Sequence, residues 1–153
     1  MLSSYHPPHH AYDFLVIGSG LAGLYAAFAA AAHGRVALLT KSSVGEGSSW
    51  WAQGGIAAAI DPEDSTFLHL DDTITAGRGL CRQAAVEILV GEGLDRVREL
   101  IALGMQFDAG ADGLHLGLEG GHSRRRVLHA NGNATGQAAV QFLTRRVQAE
   151  PHI

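Results

Sequence analysis

Two short apolar runs flank a glycine-rich turn and an alanine-rich stretch near the start of the chain. Phe14–Ile17 is a four-residue apolar run of the kind found in buried parallel strands. Alanines and leucines dominate residues 21–32, Gly34 ends that stretch, and residues 36–40 form a second apolar run. The pattern predicts strand, helix and strand within about 30 residues, the unit of an α/β fold with a parallel sheet.

Apolar residues recur at helical spacing between Asp64 and Leu103. Ser65 or Thr66 is the expected N-cap of the first helix there, and Gly77 its end. Residues 83–104 are expected to form two short helices that meet near Gly91 and Gly93. A last helix is predicted over residues 135–149, and the chain is expected to run extended after it.

The glycine-rich turn has the form G-x-G-x-x-G, with Gly18, Gly20 and Gly23 between the first strand and the first helix. This context is the one required for a dinucleotide-binding turn, in which a pyrophosphate lies at the positive end of the helix dipole. The alternative is a glycine turn that binds no ligand. Thr40 and Lys41 stand where an acidic residue usually contacts a ribose, so the pattern departs from a plain NAD site.

The composition indicates a globular and rather apolar protein. Hydrophobic residues make up 46% of the chain and charged residues 17%, and the formal net charge is −4, which argues against a general nucleic-acid binder. The start of the chain lacks the features of a signal peptide and no apolar run is long enough to span a bilayer, so we expect a cytoplasmic protein. Residues 1–11, with the sequence "HPPHH", are expected to be a flexible tail rather than a metal site.

Cys81 is the only cysteine, which fits a reducing compartment. Its place at a turn between predicted helices favours a buried thiol over a nucleophile.

Two adjacent tryptophans lie among small residues in "GSSWWAQGGIAA", residues 47–58. Small neighbours around Trp50 and Trp51 indicate a backbone that approaches a large flat ligand. The alternative is that both rings are ordinary core aromatics.

The segment "LEGGHSRRRVLHANGNATG", residues 118–136 and called here the basic loop, concentrates charge around a glycine pair. It contains Glu119, His122, three arginines at residues 124–126, and His129. Arginine pairs well with carboxylates and phosphates, so a ligand-binding loop is favoured over a solvated basic loop. A metal site built on His122 and His129 is disfavoured because no third ligand has suitable spacing.

Several motifs together resemble L-aspartate oxidase, a flavoprotein related to the flavoprotein subunits of succinate dehydrogenase and fumarate reductase. They are "GSGLAGL", "LLTK", "GSSWWAQGGIAA", "DDTITAGRGLC", "LEGGHSRRRVLHA" and "ATGQ". The resemblance covers residues 12–153. It implies that these residues are the incomplete N-terminal part of a Rossmann-like FAD-binding domain with a parallel sheet. They would include the start of a helical or α+β insertion, the capping region, in a chain that is truncated.

The resemblance also assigns the site. FAD is expected without a covalent bond, because Ser48 replaces the histidine that bonds to FAD in succinate dehydrogenase flavoproteins. Glu119 is expected to orient the substrate, while Gly117 and Leu118 depart from the family pattern. The residues expected to contact FAD are Gly18, Ser19, Gly20, Leu21, Ala22, Gly23, Thr40, Lys41, Ser48, Ser49, Trp50, Trp51, Ala52, Gln53, Gly54 and Gly55.

The reaction implied is oxidation of L-aspartate to iminoaspartate, with oxygen or fumarate as electron acceptor and quinolinate synthase as the partner enzyme in NAD biosynthesis. No nucleic acid, membrane or metal is expected to take part. Two alternatives stay open: a fumarate reductase or succinate dehydrogenase type flavoprotein, and an FAD-binding module without catalysis.

Overall fold

The structure is a computed structural model that describes residues 11–153. The histidines of the expected N-terminal tail, and all of that tail except residue 11, lie outside the described residues. These residues belong to two compact units, one formed by the chain up to Trp50 with Val140–Ile153, and the other by Trp51–Ala139. The elements in chain order are β1 (Phe14–Ile17), α1 (Leu21–Ala30), β2 (Val36–Leu39), β3 (Ile56–Ala57), α2 (Thr66–Ala76), α3 (Gln83–Ala102), β4 (Ala109–Gly110), β5 (Gly113–Leu114), β6 (Leu116–Gly117), β7 (Val127–Leu128) and α4 (Thr135–Ala149).

The first unit contains the predicted strand, helix and strand. β1 and β2 pair in parallel, with Phe14 opposite Val36 and Ile17 opposite Leu39. Helix α1 connects them and buries Ala27 against Val36. The amide of Val36 donates to the carbonyl oxygen of His152 at 2.7 Å, a short hydrogen bond. The expected α/β unit with a parallel sheet is therefore confirmed.

The expectation that β1 is buried is wrong for this structure. Leu15 is 63% exposed and Ile17 is 76% exposed, while Val16 between them packs against the core. Successive side chains of a strand point to opposite faces, and α1 covers the face of Val16. Among the described residues no element covers the face of Leu15 and Ile17 in this two-stranded sheet.

The second unit contains an antiparallel sheet in the order β3, β7, β6. Leu128 in the central strand lies opposite Ile56 on one side and Leu116 on the other. Both residues of β7 are almost fully buried, with Val127 at 2% and Leu128 at 0% exposure. The small sheet therefore joins β3, which follows the two tryptophans, to two strands on either side of Glu119. Of these, β6 comes just before the basic loop and β7 lies within it.

Helix α2 begins as predicted. Ser65 is its N-cap, since the amide of Leu68 donates to Ser65 Oγ at 3.2 Å. Gly77 is its C-cap, and the half-buried Cys81 contacts the same helix end through a weak bond from its thiol to the carbonyl oxygen of Thr73. Cys81 thus lies at the expected turn, although it is not fully buried.

The prediction of two short helices in residues 83–104 is wrong. Helix α3 runs without interruption through its 20 residues, Gln83–Ala102. Glycine in a helix costs about 1 kcal/mol relative to alanine, so Gly91 and Gly93 weaken the helix without ending it. Burial of one face of the helix outweighs that cost. The residues of this face are Val86, Val90, Val97 and Leu100.

Helix α4 has the bounds predicted from the sequence. The segment after it is a turn rather than the expected extended stretch, because the amide of Ile153 donates back to the carbonyl oxygen of Glu150. Within residues 11–153, no helix has both the length and the apolar character needed to cross a bilayer.

Candidate functional site

The turn between β1 and α1 depends on two glycines. Gly18 has φ of +106°, a conformation that residues with a side chain rarely adopt. A Cβ atom at Gly23 would overlap the carbonyl oxygen of Gly18, so the first turn of α1 lies directly against the strand end. Together these glycines bring the N-terminus of α1 to the edge of the sheet, as the dinucleotide fingerprint predicts.

The N-terminus of α1 is open to an anion. Its N-cap, Gly20, provides no side-chain hydrogen bond, and the first turn contains no acidic residue. The amide of Leu21 donates to Ser49 Oγ at 3.1 Å, which is a neutral partner. Because a helix N-terminus carries a partial positive charge, this end of α1 favours a phosphate.

Thr40, which follows β2, is hydrogen-bonded to a residue of the glycine turn. Its hydroxyl lies 2.8 Å from Ser19 Oγ, and Ser19 is only 4% exposed. This bond ties the end of β2 to the start of α1. Lys41, the next residue, is exposed.

The stretch from Ser48 to Gly55, called here the tryptophan segment, passes from the first unit to the second. In the first unit Ser49 bonds to the start of α1, and the amide of Trp50 donates to the carbonyl oxygen of Gly47 at 3.0 Å. In the second unit Trp51 is 78% exposed. The alternative that both tryptophans are core aromatics is therefore wrong for Trp51.

The second half of the tryptophan segment is fixed at its ends and exposed between them. The carbonyl oxygen of Ala52 accepts a hydrogen bond from the amide of Gly136, at the start of α4. A Cβ atom at Gly55 would overlap Val127 and would lie 2.6 Å from the carbonyl oxygen of Leu128. Ala52, Gln53 and Gly54 are exposed, so a stretch of backbone is available to a ligand.

Arg126 of the basic loop is completely buried, so it is not available to a ligand as the favoured ligand-binding loop would suggest for its arginines. Its guanidinium bonds to Asp64 with N···O distances of 2.8 and 2.9 Å and to Asp72 at 2.6 Å. Asp72 also accepts from the amide and the hydroxyl of Ser123. This network holds the loop against α2.

The electrostatics of the network follow from its charge pairing. Burial acts to raise the pKa of Asp64, but the hydrogen bonds from Arg126 and from the amide of Ser65 outweigh it and the pKa is lowered. For Asp72, burial is again outweighed, by hydrogen bonds from Ser123 and Arg126, so its pKa is lowered too. The same pairing raises the pKa of Arg126 against the effect of its burial. All three groups are charged in the folded protein.

His69 lies beside this network, with its ring centroid 5.7 Å from that of His122. Burial, followed by the charge of Arg126, lowers the pKa of His69. Its Nδ1 atom has no hydrogen-bond partner among the described residues. Within residues 11–153, no group of three or more histidine, cysteine or acidic side chains has the arrangement of a metal site.

Arg124 and Arg125 are exposed and line an open cavity of about 250 Å³. The same cavity is lined by the carboxylates of Asp61 and Glu63. Since acidic and basic groups face the same space, it is not a simple anion site. A role of these two arginines in binding a carboxylate stays a prediction.

Glu119 pairs with a residue that the sequence did not indicate. Its Oε1 lies 3.1 Å from Nε2 of His129, and its side chain is 50% exposed. Neither of the neighbouring exposed arginines, Arg124 or Arg125, bonds to this carboxylate in the structure, and half of its surface is open. The expected substrate-orienting role of Glu119 stays a prediction.

Comparison with known proteins identifies the family of the chain. A family described as the FAD binding domain matches residues 13–153. The chain belongs to this FAD binding domain family. The expected cofactor, FAD, and the expected relationship are thus confirmed, and the open N-terminus of α1 fits the pyrophosphate of a dinucleotide.

The relatives of this FAD binding domain are longer than the chain. It is 51% identical over 139 residues to the L-aspartate oxidase of Streptomyces coelicolor, covering 90% of this chain and 24% of that protein. The L-aspartate oxidase of Synechocystis is 49% identical, with 93% of this chain and 26% of the relative covered. The chain spans about a quarter of the length of the curated relatives it matches.

Among solved structures, the quinol fumarate reductase of E. coli has a fold similar to that of this chain. The two chains superpose with a TM-score of 0.86 at 29% identity, over 93% of this chain and 25% of the other. The α/β fold of an FAD binding domain, predicted from the sequence, is therefore confirmed. The individual cofactor and substrate contacts stay predictions.

Proposed function

We propose that this chain is the N-terminal, FAD-binding part of an L-aspartate oxidase, and that the complete enzyme oxidises L-aspartate to iminoaspartate. The observation that carries the proposal is the half-exposed carboxylate of Glu119, in a chain about 50% identical to L-aspartate oxidases. Residues 12–153 then form an incomplete FAD-binding domain.

The glycine turn and the tryptophan segment are the proposed cofactor site. Ser19, Gly20, Leu21 and Ala22 hold the pyrophosphate at the start of α1, and Lys41 lies on the adenosine side. Ser48 to Gly55 surrounds the flavin ring, with Trp51 exposed on the segment. When bound, FAD supplies the acceptor for the two electrons taken from the substrate. Serine at position 48 provides no site for a covalent link, so acid denaturation is expected to release the cofactor.

Glu119 is the proposed substrate-orienting residue. L-aspartate differs from succinate by an α-ammonium group, and a carboxylate attracts that group while it repels a plain dicarboxylate. Glu119 has the exposure required for such a contact. Among the described residues, the Glu119 carboxylate bonds to an imidazole rather than to an arginine or a lysine.

Oxygen or fumarate is the proposed electron acceptor. Iminoaspartate passes to quinolinate synthase, which places the reaction first in a route to NAD, and the cytoplasm is the proposed location in bacteria. A fumarate reductase type of function is not favoured, since the identity to the fumarate reductase is 29% against 51% to an L-aspartate oxidase. An FAD-binding module without catalysis stays the second candidate because the chain covers about a quarter of its relatives.

The test uses a full-length enzyme that contains this segment. It is made by replacing the matching part of the Streptomyces coelicolor L-aspartate oxidase with this chain. In it, Glu119→Gln is expected to lower kcat/KM for aspartate far more than for fumarate. A partly desolvated charge pair is worth about 2–5 kcal/mol when one partner is removed, so the loss for aspartate is about 30-fold or more.

Glu92→Gln is the matched control, since this glutamate is exposed on α3 and the exchange is chemically identical. It is expected to leave both activities unchanged. Equal losses for aspartate and fumarate in the Glu119 variant would contradict the proposed role. If the full-length enzyme without any substitution retains FAD but does not oxidise aspartate, the alternative of an FAD-binding module without catalysis is favoured.

A further inference from the structure

We propose that His129 is a positioning residue that fixes the Glu119 carboxylate and thereby contributes to the preference for an amino acid substrate. The inference rests on the proposed function of Glu119. His129 Nε2 lies 3.1 Å from Glu119 Oε1, within hydrogen-bonding distance. The imidazole is 26% exposed, so the bond is partly shielded from water.

The backbone of His129 is held firmly. It follows β7, the central strand of its sheet, and its carbonyl oxygen accepts a hydrogen bond from the amide of Asp108 at 2.8 Å. The carboxylate of Asp108 in turn accepts from the amides of Asn131 and Gly132, at 2.8 and 2.9 Å. Asn131 has φ of +52°, so these bonds hold a tight turn immediately after His129.

The imidazole ring is also confined from two sides. A Cβ atom at Gly55 would lie 2.9 Å from its Nε2, and a Cβ atom at Gly117 would lie 3.1 Å from its Cε1. Real Cβ atoms rarely come so close, so both glycines leave the space that the ring fills. His129 therefore has one well-defined place, between the tryptophan segment and the strand that leads to Glu119.

The backbone of Glu119 is held in a turn, since the amide of His122 donates to its carbonyl oxygen at 3.2 Å, but half of its side chain is exposed. It follows β6 by two residues and precedes Gly120 and Gly121, of which the latter has φ of +86°. An exposed glutamate side chain has several rotamers, so it loses entropy when a ligand fixes it. A hydrogen bond from a confined imidazole restricts the Glu119 side chain before the ligand binds. Less conformational entropy is then lost on binding, and the affinity is higher.

The geometry of the pair leaves the carboxylate able to accept further hydrogen bonds. One imidazole nitrogen contacts one carboxylate oxygen, whereas the planar fork of an arginine pairs with both oxygens of a carboxylate. Glu119 then keeps acceptor capacity for an α-ammonium. The contact between His129 and Gly55 also places this carboxylate at a defined distance from the end of the tryptophan segment.

The test compares His129→Gln with His129→Asn in the full-length enzyme described above. The amide nitrogen of glutamine reaches the place of Nε2, whereas that of asparagine is too short to reach Glu119. We expect His129→Gln to keep kcat/KM for aspartate within about threefold, and His129→Asn to lower it about tenfold, mainly through KM. Fumarate reduction and FAD content are expected to stay within about twofold in both variants.

Coupling between the residues separates positioning from a structural role. Once Glu119→Gln is present, adding His129→Asn is expected to change aspartate oxidation less than twofold, because the charge to be positioned is gone. His115→Asn, at an exposed histidine of the same unit, is the control and is expected to have no effect.

Three outcomes would overturn the inference: equal activity of the glutamine and asparagine variants, parallel loss of both substrates, or additive effects with Glu119→Gln. If Glu119→Gln alone fails to distinguish aspartate from fumarate, the proposed function fails first. If it does distinguish them and His129 shows no coupling, only the positioning role fails.

Discussion

The guanidinium of Arg126 forms two hydrogen bonds to the carboxylate of Asp64, with both side chains at most 1% exposed. These residues are 62 positions apart in the sequence. The pair connects the residue before the N-cap of α2 with the residue before β7. It thereby fixes the basic loop, which carries Glu119, to the helical part of its unit.

Arg126→Leu is expected to destabilise this unit strongly. The substitution leaves the Asp64 carboxylate buried without its cation, and loss of one partner of a buried ion pair costs about 3–5 kcal/mol. Hydrogen exchange of the amides in α2 and β7 reports that loss as faster exchange. Arg125→Leu is the control, because Arg125 is exposed and surface exchanges alter stability by about 0.5 kcal/mol or less. Similar exchange rates in the two variants would show that the buried pair contributes little.

The stability of the same unit is expected to fall on acidification in two steps. His69 has a pKa below its ordinary value of 6.5, so as the pH falls below that value the unfolded chain takes up a proton before the folded one does. Asp64 and Asp72 have pKa values below 3.8, so their contribution is present above that pH and is lost as the pH falls through their folded values.

His69→Leu isolates the first of these steps. The variant lacks the titrating group and also removes a buried Nδ1 atom that has no partner among the described residues. Thermal unfolding midpoints of the variant and the parent enzyme are compared from neutral pH down to about pH 5, below the ordinary range of histidine. The midpoint of the parent is expected to fall more steeply. Parallel curves would assign the pH dependence to other groups.

The local part of the fold was predictable because its signals are local. The glycine turn, the strands beside it, the Ser65 cap and the bounds of α4 each depend on residues a few positions apart. The continuous helix α3 was not predicted, because two glycines favour a break and only the packing of its buried valines against other elements opposes it. Tertiary packing decides such cases, and it is not visible in the order of residues.

The candidate site was predictable in its composition but not in its pairing. Arg126 looks like Arg124 and Arg125 in the sequence. The buried strand that follows Arg126, however, places it inside the unit, where it pairs with Asp72 of α2 and with Asp64 just before that helix. The sequence indicates His129 as part of a ligand-binding loop but gives it no partner, whereas the three-stranded sheet places its ring on Glu119. These contacts join residues that are 10 to 62 positions apart, and no periodic pattern marks them.

Gly20→Ala is expected to weaken FAD binding, for a reason that a second substitution can identify. Gly20 is the N-cap of α1 with φ of −72°, so alanine fits the backbone. The added Cβ atom would lie 3.3 Å from Ser49 Oγ, a tight contact that a small shift relieves. In the proposed site the same Cβ atom points toward the space that the pyrophosphate needs.

The two causes respond differently to removal of Ser49 Oγ. If the cofactor is obstructed, Gly20→Ala with Ser49→Ala binds FAD no better than Gly20→Ala, and the loss of Ser49 Oγ as acceptor for the Leu21 amide weakens it further. If the clash with Ser49 is the cause, the double variant recovers the affinity of Ser49→Ala alone. FAD dissociation constants, measured by flavin fluorescence on the full-length enzyme, are expected to follow the first pattern. The second pattern would remove Gly20 from the proposed pyrophosphate site and leave it as a residue that shapes the N-terminus of α1.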